Sequence, residues 1–197
     1  MNRIRKTSFF AGAIALAAIS IWFLPVEKAI RMGVTTNLEK SFTALQQQKI
    51  RELGLDTIRI NYSELITDTG GNTLQFGDIT GDKTIFFRFS ELSCQPCVID
   101  QAQFINAVQG SGLYRVVVLT DKATTRDLQI LINKYKFETG IFGLAEPFNW
   151  GRRGVSYYFT IDENSSSMDN IFVVLPDMPG ASINYFRNIF PDTEKLF

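Results

Sequence analysis

The sequence predicts an α/β domain with a central mixed sheet and flanking helices, carried behind an N-terminal apolar segment. Three observations predict it. Two short runs, Thr84–Phe89 and Tyr114–Thr120, are apolar at nearly every position, as strands buried on both faces are. Each run is followed by a stretch with apolar residues at helical spacing. The order β-α-β-α requires parallel strands joined by right-handed crossovers. Lastly, the only two cysteines, Cys94 and Cys97, stand between the first run and its helix.

Bulk composition sets the outer limits. The chain has 197 residues, which suggests one domain plus appendages. Hydrophobic residues make up 45%, enough for a full core. Twenty basic and twenty acidic side chains balance, and the basic ones do not cluster beyond the first six positions. That pattern predicts no nucleic-acid partner. Histidine is absent, which removes His-based catalysis and His-ligated metals. It also removes c-type haem attachment, since Val98 follows the second cysteine. Two cysteines without histidine are too few for a structural zinc. No metal and no cofactor are expected.

The N-terminus sets the compartment. Arg3, Arg5 and Lys6 lie in a short cytoplasmic segment, residues 1–7. Residues 8–26 read as a transmembrane signal anchor, because Phe9 to Val26 carries no charge. At 1.5 Å per residue that run reaches roughly 27 Å, close to a bilayer core. A cleaved signal peptide is the competing reading; cleavage at Ala18-Ile19-Ser20 would leave Ile21-Trp22-Phe23-Leu24 as a poor mature end. Trp22 suits the far interface, and the positive-inside bias leaves the remaining chain extracytoplasmic, in a periplasm. Disulfide chemistry is possible there.

The exported part then reads in order. Residues 27–55 form a helical stalk with Leu38, Phe42, Leu45 and Ile50 on one side, Gln46-Gln47-Gln48 on the wet side and Gly54 as its stop. Residues 56–197 form the domain. Thr57–Tyr62 alternates like a strand, Gly70-Gly71-Asn72 signals a turn, and Thr73–Phe76 is a second short strand, so a hairpin is expected. Asp78–Asp82 is a loop before the first buried strand. After the cysteines, Val98, Ala102, Ile105 and Val108 mark a helix that Gly110 closes. Beyond Tyr114–Thr120, a capping start at Thr124–Asp127 leads to Leu128, Leu131, Ile132 and Tyr135. Val155–Ile161 and Ile171–Leu175 flank the polar turn Asp162–Ser167 as a hairpin. Pro179–Phe190 carries Ile183, Phe186, Ile189 and Phe190 and reads as a last helix.

A C-x-x-C that ends a strand and opens a helix is the layout of a thiol–disulfide centre. Cys94, exposed at the helix N-terminus, is the candidate attacking thiol, because the positive helix end favours a thiolate. Cys97, one turn in, is the candidate resolving thiol. Pro96 lacks an N–H, which costs nothing in the first turn and fixes the loop. Asp100 lies three residues after Cys97 and so on nearly the same face. A purely structural disulfide is the competing reading, although so short a loop adds little stability.

This order, with its hairpin and its C-x-x-C, resembles the thioredoxin fold, and within it the membrane-anchored TlpA/ResA-like thiol–disulfide oxidoreductases. Three stretches carry the resemblance: Asp68–Leu74 through Gly81-Asp82-Lys83, then Phe86–Cys97 with Pro96 before the second cysteine, then Tyr157–Asp162. The resemblance implies a proton-handling role for Asp100. It puts Arg88, six before Cys94, where thioredoxins keep a buried aspartate; there it would lower thiol pKa values or pair with Asp100 or Glu91. It also exposes two departures. The family's cis-proline position falls on Ser156, preceded by Val155, and no tryptophan flanks Ser90–Ser93. Trp150–Gly154 is a basic loop bordering the site. A peroxidase of the peroxiredoxin type is disfavoured, because Glu91 stands where its Thr or Ser would.

The function expected is a membrane-tethered extracytoplasmic oxidoreductase that acts on exported protein thiols or disulfides and is reset by an unidentified redox partner. The alternative is a redox-inactive thioredoxin-fold binding or assembly module.

Overall fold

The computed structural model describes residues 38–146, 150–151, 154–162, 164–178, 180–190 and 192. The cytoplasmic segment and the signal anchor lie outside the described residues. Among those described, no helix is long and apolar enough to cross a membrane. By packing, the chain divides into a unit ending at Leu45 and a unit from Gln46 to Phe197.

The first helix, α1, covers 38–53 and stops at Gly54, whose φ of 67° is left-handed and suits glycine. From Gln46 onward α1 belongs to the domain. Gln46 is not on the wet side: it is buried, its Nε2 donates to the Val173 carbonyl and its Oε1 accepts from the Val173 N–H, both at 2.9 Å. Ile50 and Leu55 are buried in the core as well, so the stalk boundary at 55 moves back along the helix. The reason is an edge strand, whose free backbone groups recruit the glutamine amide.

Seven strands follow: β1 (Leu65–Thr67), β2 (Thr73–Gln75), β3 (Thr84–Phe89), β4 (Arg115–Thr120), β5 (Ile141–Leu144), β6 (Tyr157–Asp162) and β7 (Ser167–Val173). Their order in the sheet is β2-β1-β5-β4-β3-β6-β7. β3, β4 and β5 run parallel, while β6, β7, β1 and β2 join antiparallel. The helices α2 (Gln95–Gly110), α3 (Thr125–Tyr135) and α4 (Ala181–Ile189) complete the described elements. A parallel core with antiparallel flanks, and a C-x-x-C opening the helix after the inner strand β3, is a thioredoxin-like fold.

The hairpin forms, but not from Thr57–Tyr62. That stretch holds a 3-10 turn at Leu55–Thr57 and a single bridge from Arg59 to Ser167. The Asp68 carboxylate accepts from the Gly70 and Asn72 N–H groups and from Asn72 Nδ2, each at 2.8 Å. This closes the turn over residues 68–72, so the chain just before it, Leu65–Thr67, becomes the partner of β2.

Strand alternation sorts the core into two layers. Phe86 stacks with Phe76 and Phe159 and shares a cluster with Ile50, Leu55, Ile60 and Trp150. Phe87 and Phe89 face the other way: Phe87 meets Tyr158, and Phe89 meets Tyr135 of α3 and Phe137. Phe104 of α2 and Phe186 of α4 pack with Tyr158 on that same face, their rings 4.5 Å apart. All six residues of β3 are buried, as a strand covered on both faces must be.

Candidate active site

The site is built where β3 ends. Cys94 is the N-cap of α2 and its Sγ accepts from the Cys97 N–H at 3.4 Å. The two cysteines are disulfide-bonded, with Cα atoms 5.3 Å apart. Cys94 is exposed and Cys97 is 8% exposed. One sulfur is therefore open to an incoming group and the other is shielded, the asymmetry a two-step exchange needs. Pro96 lies in the first turn of α2, exposed beside Gln95.

A serine bracket sets the loop between β3 and α2. The Ser90 N–H donates to Ser93 Oγ and the Ser93 N–H donates to the Ser90 carbonyl, both at 3.0 Å. Ser90 Oγ accepts from the Gly154 N–H at 2.8 Å. Both serines are buried. They occupy the stretch noted in the sequence only for its missing tryptophans; its S-x-x-S spacing just ahead of a helix cap was the available signal. Gly154 takes a φ of 86°, and a Cβ there would meet Leu92 at about 3.6 Å.

Glu91 is a tether. Its N–H donates to Asp121 Oδ1 at 3.2 Å, and its carboxylate pairs with Lys122. That hydrogen bond is the main cause holding the Lys122 ammonium above its ordinary value. The active-site loop is thus tied to the β4–α3 connection. Asp121 and Lys122 were not singled out in the sequence, and nothing in their spacing marks them.

Arg88 is fully buried. It pairs in register with Tyr157 and lies on the Phe86 face, whereas Asp100 stands on α2 across the sheet. Arg88 Nη1 donates to the Val155 carbonyl at 3.0 Å, and the guanidinium sits 5.9 Å from the Tyr157 ring centre. Burial above all pushes the Tyr157 phenol well above its ordinary value, with the Arg88 charge opposing. So Arg88 reaches neither Asp100 nor Glu91's position but grips the segment before Ser156.

Val155 is half-buried and Ser156 buried; the Ser156 carbonyl accepts from the Val174 N–H at 2.9 Å. No cis peptide bond occurs among the described residues. Upstream, Trp150 is buried and its Nε1 donates to both Glu64 carboxylate oxygens, at 2.8 and 2.9 Å. Its carbonyl accepts from the Tyr157 hydroxyl. The basic part of this loop, Arg152 and Arg153, lies outside the described residues.

Asp100 is exposed. The polar group that follows Cys97 inward is Gln101, 2% exposed, whose Oε1 accepts from the Tyr158 hydroxyl at 2.9 Å. Four residues on from Cys97, Gln101 keeps to the sheet-facing side, while Asp100 turns outward. Among the described residues no cluster of three or more metal-ligating side chains occurs.

No family model and no curated protein matches this chain. Solved structures similar to it include three of note. A candidate thiol:disulfide interchange protein DsbE from Chlorobium tepidum is 17% identical, covering 66% of this chain and 96% of its own, with a TM-score of 0.49. Peroxidoxin BcpB from Mycobacterium tuberculosis is 11% identical, covering 64% and 92%, with a TM-score of 0.48. An uncharacterized thioredoxin-like protein from Porphyromonas gingivalis is 12% identical, covering 66% and 91%, with a TM-score of 0.47.

Proposed function

We propose that this protein is a thiol–disulfide oxidoreductase that works through the Cys94/Cys97 pair, tethered to a membrane by residues 8–26 and facing the extracytoplasmic side. The observation that carries the reading is the asymmetry of the pair: an exposed Cys94 at a helix N-terminus and a buried Cys97 one turn in. Exchange with a client disulfide follows from it. The Cys94 thiolate attacks one client sulfur, forming a mixed disulfide and releasing the other client sulfur as a thiolate. Cys97, as thiolate, then attacks Cys94 Sγ, freeing the second client thiolate and restoring the Cys94–Cys97 disulfide. The client gains two electrons and the pair loses two; the reverse sequence oxidises a client dithiol.

The remaining residues have separate tasks. Asp100, open to solvent near Cys97, passes the Cys97 proton outward. Arg88 holds the Val155 carbonyl and so the wall at Ser156. Leu92, 65% exposed beside Cys94, gives an extended client an apolar contact. The clients are exported proteins, and a separate redox partner resets the pair.

A Cys97→Ser variant tests this. It should leave mixed disulfides on Cys94 in envelope extracts, released by reductant and absent from a Cys94→Ser, Cys97→Ser double variant. Absence of any such adduct counts against the reading.

Ser156 in the place of the cis-proline favours a second reading, a binding module whose disulfide is only structural. Its mark is a disulfide that ordinary thiol buffers do not reduce.

A further inference from the structure

Thiol exchange requires Cys97 as a thiolate, yet Cys97 is buried at 8% exposure. Burial among apolar groups opposes the charged sulfur, and a hydrogen-bond donor beside it offsets that cost.

Gln101 stands where such a donor would act. It lies four residues after Cys97 on α2 and on the same helix face, a spacing that sets Cβ atoms about 5–6 Å apart. Helix side chains lean toward the N-terminus, so this amide lies over the turn that carries Cys97. Gln101 is itself buried.

Tyr158 orients the amide. Its hydroxyl donates to Gln101 Oε1 at 2.9 Å and makes no other hydrogen bond among the described residues. Burial above all holds the Tyr158 phenol well above its ordinary value, so it keeps its proton and stays a donor. Phe87, Phe104 and Phe186 pack against its ring. With Oε1 committed to Tyr158, the amide has its Nε2 protons left, and no described residue accepts them. In the oxidised pair the Cys97 sulfur is bonded to Cys94 and is a weak acceptor. Reduction gives that sulfur a charge and makes it a strong one.

The charged and titratable groups on the surrounding elements are engaged or turned away. Asp100 on α2 is exposed and, ionised, has no proton to donate. Glu91 and Lys122 pair with each other in the loops before α2 and α3. Arg88 of β3 grips the Val155 carbonyl on the opposite face of the sheet. On α4, burial holds the Tyr185 phenol above its ordinary value, and Arg187 sits in the last turn.

We propose that Gln101 donates an N–H to the Cys97 sulfur once the disulfide is reduced, with Tyr158 as the residue that positions its amide. The inference rests on the proposed Cys94/Cys97 redox chemistry. Within that cycle the bond takes no proton from Cys97; it raises the share of Cys97 present as the thiolate that attacks Cys94.

The acidity of the Cys97 thiol tests this, read from thiolate absorbance against pH in the full-length Cys94→Ser chain in detergent micelles. In that background Gln101→Leu should raise the Cys97 pKa by about one unit, roughly tenfold less thiolate at a given pH below it. Tyr158→Phe, which keeps the amide but not its orientation, should raise it by less. Urea midpoints of the same chains report folding, and if Gln101→Leu does not fold, the Tyr158→Phe shift decides. A lowered midpoint with an unmoved Cys97 pKa makes Gln101 a packing residue only and overturns the proposal. Mixed disulfides trapped on Cys94 in a Cys97→Ser chain report separately on the redox reading, because that chain has no Cys97 thiol for Gln101 to meet. Adducts present with an unmoved Cys97 pKa overturn this inference alone; adducts absent overturn the redox reading and this inference with it.

Discussion

Replacing Ser90 by alanine removes the hydroxyl that joins the end of β3 to Gly154. Ser90 is 1% exposed, and its Oγ accepts the Gly154 N–H at 2.8 Å. The backbone bracket with Ser93 survives the change, because it uses the Ser90 N–H and carbonyl. The loss is therefore one hydrogen bond, with the Gly154 N–H left without its acceptor. A fully buried orphan costs about 1–3 kcal/mol, but Gly154 is exposed enough for water to help, so the lower part of that range applies, ~1–2 kcal/mol. For a chain of this size that is about 2–8 °C in Tm. Urea denaturation of the oxidised protein, followed by near-UV circular dichroism, measures it directly. Gly154 runs into Val155 and Ser156, so the rate of exchange with a labelled dithiol should change in the same variant. A stability change under about 0.3 kcal/mol together with an unchanged exchange rate would show that the Ser90 hydroxyl does not hold this segment.

Three further outcomes follow from the structure. Gly143→Ala should destabilise by ~3 kcal/mol or more, because a Cβ there would lie 2.2 Å from the Lys122 carbonyl oxygen and 2.7 Å from the Ala123 Cα, both backbone; an unchanged urea midpoint would contradict it. Gln46→Leu should cost ~2–4 kcal/mol by orphaning the Val173 N–H and carbonyl, read from the same denaturation curve. Glu64→Gln concerns pH. Burial, opposed by the Trp150 hydrogen bond, raises the Glu64 pKa above its ordinary 4.5 in the folded protein. Folding then takes up a proton, so this group's stability is full below 4.5 and is lost as pH rises through the folded value. Relative to wild type, Glu64→Gln should gain stability as pH rises across that window; parallel stability curves from pH 4 to 7 would sink the argument.

Much of the core was legible because local signals and burial agreed. Thr84–Phe89 and the α2 face of Val98, Ala102, Ile105 and Val108 announce themselves by apolar pattern alone, and the structure buries them all. β5 escaped notice: Ile141–Leu144 is only four residues long and follows a polar turn, so no pattern separates it from a loop. Thr57–Tyr62 misled for the opposite reason. Its alternation is real, but Ile60 is buried against the core without a ladder to join, and the Asp68 turn selects Leu65–Thr67 instead.

The site divides in the same way. The C-x-x-C motif is a local signal, and α2 presents it as its spacing implies. Arg88 was visible as an oddity, yet its partner, the Val155 carbonyl, lies 67 positions away and no spacing rule reaches it. Gln101 and Asp100 differ by one position; helical spacing turns the amide inward, and its partner, the Tyr158 hydroxyl, lies 57 positions away. Lys122 and Trp150 act through tertiary contacts alone, and so does the Ser90 hydroxyl.

A working Cys94/Cys97 pair exchanges with other thiols rather than merely cross-linking the chain. Equilibration of the full-length protein in glutathione buffers of graded poise, followed by alkylation of free thiols, gives the reduction potential of the pair. A catalytic pair should titrate between about −270 and −120 mV. A potential below about −300 mV, in the range of resistant structural disulfides, would show that the pair is a cross-link and not a redox centre.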